Sequence, residues 1–350
     1  MVVRYSPLLY QGMDHLMCGM MNAIQWCWRS RVSSRDVLEQ YLEETLKLSR
    51  EEFFAAPLLS GLIEKGGQLR WKSGLSQPLQ GSFQRSLTIN RTALPTKEEC
   101  VVDFFVARKD QMSFERNSSK FDVKRPTVIL LHALMSASRF GYRRVAERIN
   151  RLGWNVLFPH LPFHYDRSGV PFLKGAETIT PDLVHTAETV RQAVREMRQL
   201  IRYLRMQGDF PIYLVGTSYG GWIASLLLSL ELVEGASLLQ PMVDLAEATF
   251  FGPLSLVLGP LLLRAGVEVE QVERHAVLTS PLGGKPFPQT GPITIIGGAY
   301  DRLSPREKLL LCAQRWPNTT YHEVLQGHFG YRAMGRALEL LLPQLRSLME

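Results

Sequence analysis

The chain has 350 residues with 45% hydrophobic and 21% charged side chains and a formal net charge of +7. That is enough to bury a sizeable core, and it excludes a low-hydrophobicity disordered chain. Four cysteines (Cys18, Cys27, Cys100, Cys312) show neither metal-ligand spacing nor disulfide density, which suits a reducing compartment. Apolar runs are interrupted well short of ~20 residues and no signal-peptide core is visible, so a cytoplasmic location is expected.

In chain order, Leu8 to Trp28 is rich in Met, Leu and Trp and predicts an amphipathic or fully buried helix. Core packing is the expected use of its apolar face, and peripheral attachment to a membrane surface is the second reading. Ser33-Ser34-Arg35-Asp36 is an N-cap signal for a helix over Val37 to Leu48, and a third helical piece is predicted from Arg50 to Glu64. Residues 1–98 are thus expected to form a mainly helical N-terminal extension. Gln68 to Phe83, rich in glycine and serine, predicts a loop or an early hairpin.

From residue 99 strand and helix patterns alternate to residue 350. Glu99 to Arg108 carries strand formers, a polar segment covers Lys109 to Lys124, and Pro126 to Leu131 reads as a central strand. Such alternation predicts an α/β architecture with a mostly parallel central sheet and helices on both faces. Thr189 to Gln207 combines an apolar stripe with Arg191, Arg195, Arg198, Arg202 and Arg205 at helical spacing. A solvated basic face is expected there, with attraction for anionic head groups as the alternative. No nucleic-acid motif accompanies it, so no nucleic-acid partner is expected.

The most specific stretch follows. Ile212 to Val215 is a strand pattern ending in Gly216-Thr217-Ser218-Tyr219-Gly220, and a helical pattern starts at once. In this strand–turn–helix arrangement the turn pushes the Ser218 hydroxyl outward, and the small residues on both sides avoid collision with neighbouring backbone. A serine hydroxyl needs a base, and the base needs an acid to orient it. Asp301, on the tight loop after a buried strand that begins at Pro292, and His328, after the strand Thr319 to Leu325, supply both in the order Ser, Asp, His. All three would lie at the carboxyl ends of parallel strands, where open α/β sheets place their sites. Asp244, one strand earlier, is the alternative acid; His322 is the alternative base, but it lies inside its strand. For the oxyanion, the Tyr219 amide follows the nucleophile, and the loop His132-Ala133-Leu134-Met135 offers the Leu134 amide, with Met135 second. His160, His164 and Asp166 are ligand types without a defined geometry, and neither a metal nor a cofactor is expected.

These motifs, with Pro159-His160-Leu161-Pro162-Phe163-His164, resemble the α/β-hydrolase fold superfamily over roughly residues 99 to 350. The resemblance implies a Ser218–His328–Asp301 triad, an oxyanion hole of the Tyr219 and Leu134 amides, and a cap after the sixth strand (Ala236 to Gln240), placed at 242–290. Two departures stand out. Most members read His-Gly where this chain has His132-Ala133, and often Asp-x-Pro-Gly-x-Gly where it has bulky residues from His160 to Tyr165. A narrower or reshaped pocket is expected, with His132, Met135, Phe163, His164 and Leu256 as substrate contacts. Leu256 belongs to the apolar run Phe250 to Leu263, read either as a roof over the pocket that selects an apolar group or as a buried crossover helix without substrate contact. The implied activity is hydrolysis of a carboxylic ester, thioester or amide of a small, lipid-like substrate. The alternatives are acyl transfer through the same acyl-enzyme and a non-catalytic binding protein on the same fold.

Overall fold

The structure is a computed structural model that describes residues 7–73, 99–107, 123–136, 138–168 and 174–349. The distal part of the segment expected as a loop from Gln68, and most of the polar segment from Lys109, lie outside these residues.

Among the described residues, nine strands form one sheet. They are β1 (Ile63–Lys65), β2 (Gln68–Lys72), β3 (Glu99–Phe105), β4 (Thr127–Leu131), β5 (Asn155–Pro159), β6 (Ile212–Thr217), β7 (Gly235–Leu239), β8 (Ile293–Gly298) and β9 (Thr319–Val324). Their spatial order is β1-β2-β3-β5-β4-β6-β7-β8-β9. The pairings β1–β2, β2–β3 and β3–β5 are antiparallel, and those from β5 through β4 to β9 are parallel. Every residue of β4, β5, β7 and β8 is buried, as expected for strands covered on both faces.

The alternation of the pleat then builds two cores. Ile129 and Leu131 face a cluster with Val190, Val194 and Ile201 of α5 (Leu183–Gln207) and Ile223 of α6 (Tyr219–Leu227). Val128 and Leu130 face the opposite cluster, with Ile149 of α4 (Phe140–Asn150) and Leu341 and Leu345 of α11 (Arg332–Ser347). The remaining helices are α1 (Pro7–Cys27), α2 (Arg35–Thr45), α3 (Arg50–Phe53), α7 (Leu245–Phe250), α8 (Ser255–Arg264), α9 (Val269–Ala276) and α10 (Arg306–Arg315). The last four follow β7 and β8, and α7, α8 and α9 occupy the segment expected as a cap. No helix among the described residues is long and apolar enough to cross a membrane.

Two expectations are corrected, one in the N-terminal part and one on α5. The third helical piece spans only Arg50–Phe53, and the chain then runs extended into β1, which makes a hairpin with β2 through Gly66 and Gly67 (φ 59° and 77°). Pro57 and Gly61 interrupt helical propensity there, and the sheet edge takes up the residues beyond. The five arginines of α5 are not a solvated face. Arg191 donates to the Phe53 carbonyl (2.6 Å), Arg198 to Phe54 (2.8 Å) and Arg195 to Ala55 (2.5 Å). Arg198 and Arg202 also share Glu51 and Glu231, and Arg205 pairs with Glu234 at 2.8 Å. Carbonyls released where α3 ends therefore find donors on α5. Arg191, Arg195 and Arg198 thereby fasten residues 51–55 to α5.

Candidate active site

Ser218 sits between β6 and α6 with φ 51° and ψ −111°, a conformation rarely adopted by residues with a side chain. Neighbouring backbone holds it there. The Ser218 amide donates to the Leu239 carbonyl (2.8 Å), and its own carbonyl accepts from Trp222 (2.9 Å). A Cβ on Gly216 would approach the Gly220 carbonyl oxygen to 2.5 Å, and one on Gly220 would collide with the Leu131 carbonyl. The glycines are required by this close approach.

Ser218 Oγ lies 2.7 Å from His328 Nε2, and His328 Nδ1 lies 2.8 Å from Asp301 Oδ2. Asp301 comes from the loop after β8 and His328 from the loop after β9, as the spacing predicts. The second oxygen of Asp301 accepts the amides of Leu303 and Ser304, both at 2.9 Å. Asp244, the alternative acid, instead accepts from the Glu247 amide as the N-cap of α7 and pairs with Lys308. His322 stays within β9.

Burial alone would lower the pKa of His328. The charge and hydrogen bond of Asp301, with a further contribution from Asp14, outweigh it, and the net shift is upward from 6.5. A general base works deprotonated, so the acid limb of a kcat/KM profile is expected above pH 6.5, with activity rising through it. A profile flat down to pH 5 would contradict that environment.

Several supporting residues escape sequence reasoning. Gln240, at the end of β7 with φ 46°, donates through Nε2 to Asp301 Oδ2 (2.5 Å) and the Gly327 carbonyl (2.8 Å). Gln326 donates to Gln240 Oε1 (2.6 Å). Asp14 of α1 accepts the amides of His328 (2.8 Å) and Phe329 (3.0 Å). No local signal marks these residues, because their partners lie on distant segments.

The site opens into a cavity of about 520 Å³ lined by Ser218, Tyr219, His328 and Leu134, and by apolar side chains including Met13, Met17 and Met21 of α1 and Met242 and Leu254 of the segment after β7. His132, Met135, Phe163, His164 and Leu256 are not among the residues that line it. Leu256 is 74% exposed on α8, since α8 turns Leu258 and Leu262 inward instead. Phe163 is buried beside the His185 ring.

The two histidines hold the loop after β4. His132 Nε2 accepts the Leu161 amide (3.2 Å) while Nδ1 meets the Ala133 carbonyl (2.9 Å). His164 Nε2 accepts the Met135 amide (3.2 Å). Burial lowers His164 to about 4 and holds His132 well below 6.5, with the nearby His164 adding to the effect on His132. Both rings therefore stay neutral and keep an acceptor nitrogen. The Tyr142 hydroxyl accepts the Ala133 amide (2.9 Å), so side chains engage the amides on both sides of Leu134. His160 Nε2 lies 3.1 Å from Asp103 Oδ2, and its Nδ1 lies 3.7 Å from Asp166 Oδ2.

A mixed sheet with a strained serine turn after its central strand, and an acid and a histidine on the two following strand loops, defines the α/β-hydrolase fold, and this chain has it. The crystal structure of a presumptive hydrolase from Agrobacterium vitis S4 superposes with a TM-score of 0.50 at 15% identity, covering 71% of this chain and 93% of that one. Two curated sequences, the uncharacterized proteins Rv2627c and MT2702 of Mycobacterium tuberculosis strains H37Rv and CDC 1551, are each 32% identical over 212 residues. The match covers 56% of this chain and 48% of each relative, so the chain spans about half the length of these curated relatives. No family model matches the chain.

Proposed function

We infer that this protein is a serine hydrolase that cleaves a carboxylic ester bearing an apolar acyl or alkyl group. The observation that carries the reading is the continuous Ser218–His328–Asp301 relay, with 2.7 and 2.8 Å spacings, opening into an apolar cavity. His328 Nε2 takes the proton from Ser218 Oγ as that oxygen attacks the ester carbonyl, and Asp301 stabilises the imidazolium that forms. The Tyr219 and Leu134 amides are the proposed oxyanion donors. His328 then gives the proton to the departing alcohol; water, deprotonated by His328, attacks the acyl carbon, and that proton passes to Ser218 Oγ as the acid leaves.

The cavity wall supports an apolar substrate. Methionines conform to flexible chains without fixed polar demands. A volume of about 520 Å³ falls in the range of small-molecule pockets. Covalent labelling with a fluorophosphonate probe tests the reading. Wild type is expected to label and Ser218→Ala to remain unlabelled, with an ester panel then favouring medium acyl chains over acetyl. A folded wild type that takes no label, even from a small probe, would overturn it.

A further inference from the structure

The N-terminal helix α1 precedes the sheet in sequence yet reaches the centre of the site. Asp14, on its inner side, is buried, with 5% of its surface exposed. Its two carboxylate oxygens accept the consecutive amides of His328 (2.8 Å) and Phe329 (3.0 Å) from the loop after β9. The loop is fitted to this carboxylate, since a Cβ on Gly327 would collide with both Asp14 oxygens. The helix itself is fastened at several other points. Asn22 donates to the Pro253 carbonyl (3.0 Å), Gln25 donates to the Ile179 carbonyl (2.5 Å), and Tyr10 stacks on Tyr300, next to Asp301, with a 6.4 Å centroid separation. Met13 and Met17, flanking Asp14, line the cavity.

We propose that Asp14 is a positioning residue for the reaction, holding the His328 backbone so that its imidazole bridges Ser218 and Asp301, and that α1 is therefore part of the active site. The proposal rests on the serine-hydrolase reading above. A carboxylate that accepts both amides fixes the loop in position and in rotation, which a single hydrogen bond does not. Its charge also acts on the imidazole. The titratable groups facing His328 are Asp301 from the loop after β8, Asp14 from α1 and Ser218 from the turn before α6. Cys18, one turn further along α1, is pushed up to about 12 by burial and stays a neutral thiol. Arg332, at the start of α11, is stacked over the Tyr10 ring at 5.6 Å. Both carboxylates favour the imidazolium, so removing one lowers the pKa of His328.

The test compares Asp14→Asn, Gly327→Ala and Leu16→Ala in the full chain. Asp14→Asn keeps the shape but turns an N–H toward one of the two amides. Gly327→Ala displaces the carboxylate from the other side. Leu16, 73% exposed on the outer side of α1, is the control. For both inner variants kcat on an apolar ester is expected to fall by roughly 10²-fold, the scale of a misplacement of about 1 Å. KM is expected to stay within about twofold, and the acid limb of kcat to move to lower pH. Leu16→Ala should match wild type. Rates are referred to sites titrated with the fluorophosphonate probe, so loss of folded protein does not count as loss of turnover. Should Asp14→Asn fail to fold, Gly327→Ala decides. Wild-type kcat and an unmoved acid limb in the folded inner variants would overturn the proposal. An NMR titration of the His328 imidazole reads the same pKa shift without turnover. It separates failure of this inference from failure of the hydrolase reading: an unlabelled wild type sinks the latter, and an unmoved His328 titration in Asp14→Asn sinks the former.

Discussion

His328→Ala is expected to lower kcat on an apolar ester by about 10⁴- to 10⁶-fold, the range found when the base of a serine triad is removed. The geometry explains why so much should depend on one ring. Ser218 Oγ has its 2.7 Å contact to Nε2, whereas His322 lies within β9 and His132 and His164 hold the loop after β4. The residual rate would come from the cavity and the oxyanion donors. Asp301→Asn is expected to cost about 10⁴, since an amide facing Nδ1 favours the wrong tautomer. Stopped assays with a chromogenic ester check both variants. If His328→Ala turns over as fast as wild type, another base is at work and the proposed mechanism is wrong.

The second large effect concerns stability. Arg167 and Glu196 form a fully buried pair with two contacts of 2.6 and 2.8 Å, and Arg167 also donates to the His160 carbonyl (3.0 Å). Gln192 donates a further hydrogen bond to Glu196 at 2.8 Å. Breaking the pair from one side leaves an uncompensated buried charge, and Glu196→Leu or Arg167→Met alone is expected to destabilise by about 3–5 kcal/mol. The double variant should recover most of that loss, because two apolar side chains need no partner. Urea unfolding midpoints of the four proteins in a double-mutant cycle give the coupling. Additive losses would mean that the two residues stabilise the fold independently. The pair joins α5 to the 160–167 segment, and through His164 that segment reaches the Met135 amide, so the single variants are also expected to loosen the loop that carries Leu134.

How far the sequence could be read depends on how local each feature is. The turn at Ser218 was legible because its needs lie within five residues: a strand, a serine that adopts positive φ, and glycines where the Leu131 and Gly220 carbonyls pass close by. Asp301 and His328 were legible because each ends a strand, and a parallel sheet brings strand ends to one edge. The arginine row of α5 misled for the same reason. Its helical spacing showed which residues share a face, but not that residues 53–56 lie against that face and take up its donors. Leu256 misled because an apolar run has no visible inside until its neighbours pack, and α8 turned it outward.

By itself, then, the sequence determined the alternation of strand and helix, the serine turn, and the acid and histidine that follow it in order. These are set by local backbone sterics and by periodicity. Only the tertiary structure decided what surrounds them. It brought Gln240 to Asp301, placed His132 and His164 behind the loop after β4, and set Asp14 beneath a histidine 314 positions away. Such contacts join side chains through space. The physical reason they stay hidden is that a buried carboxylate or amide must find donors or acceptors wherever the fold supplies them, and nothing in its own neighbourhood of the chain records which those will be.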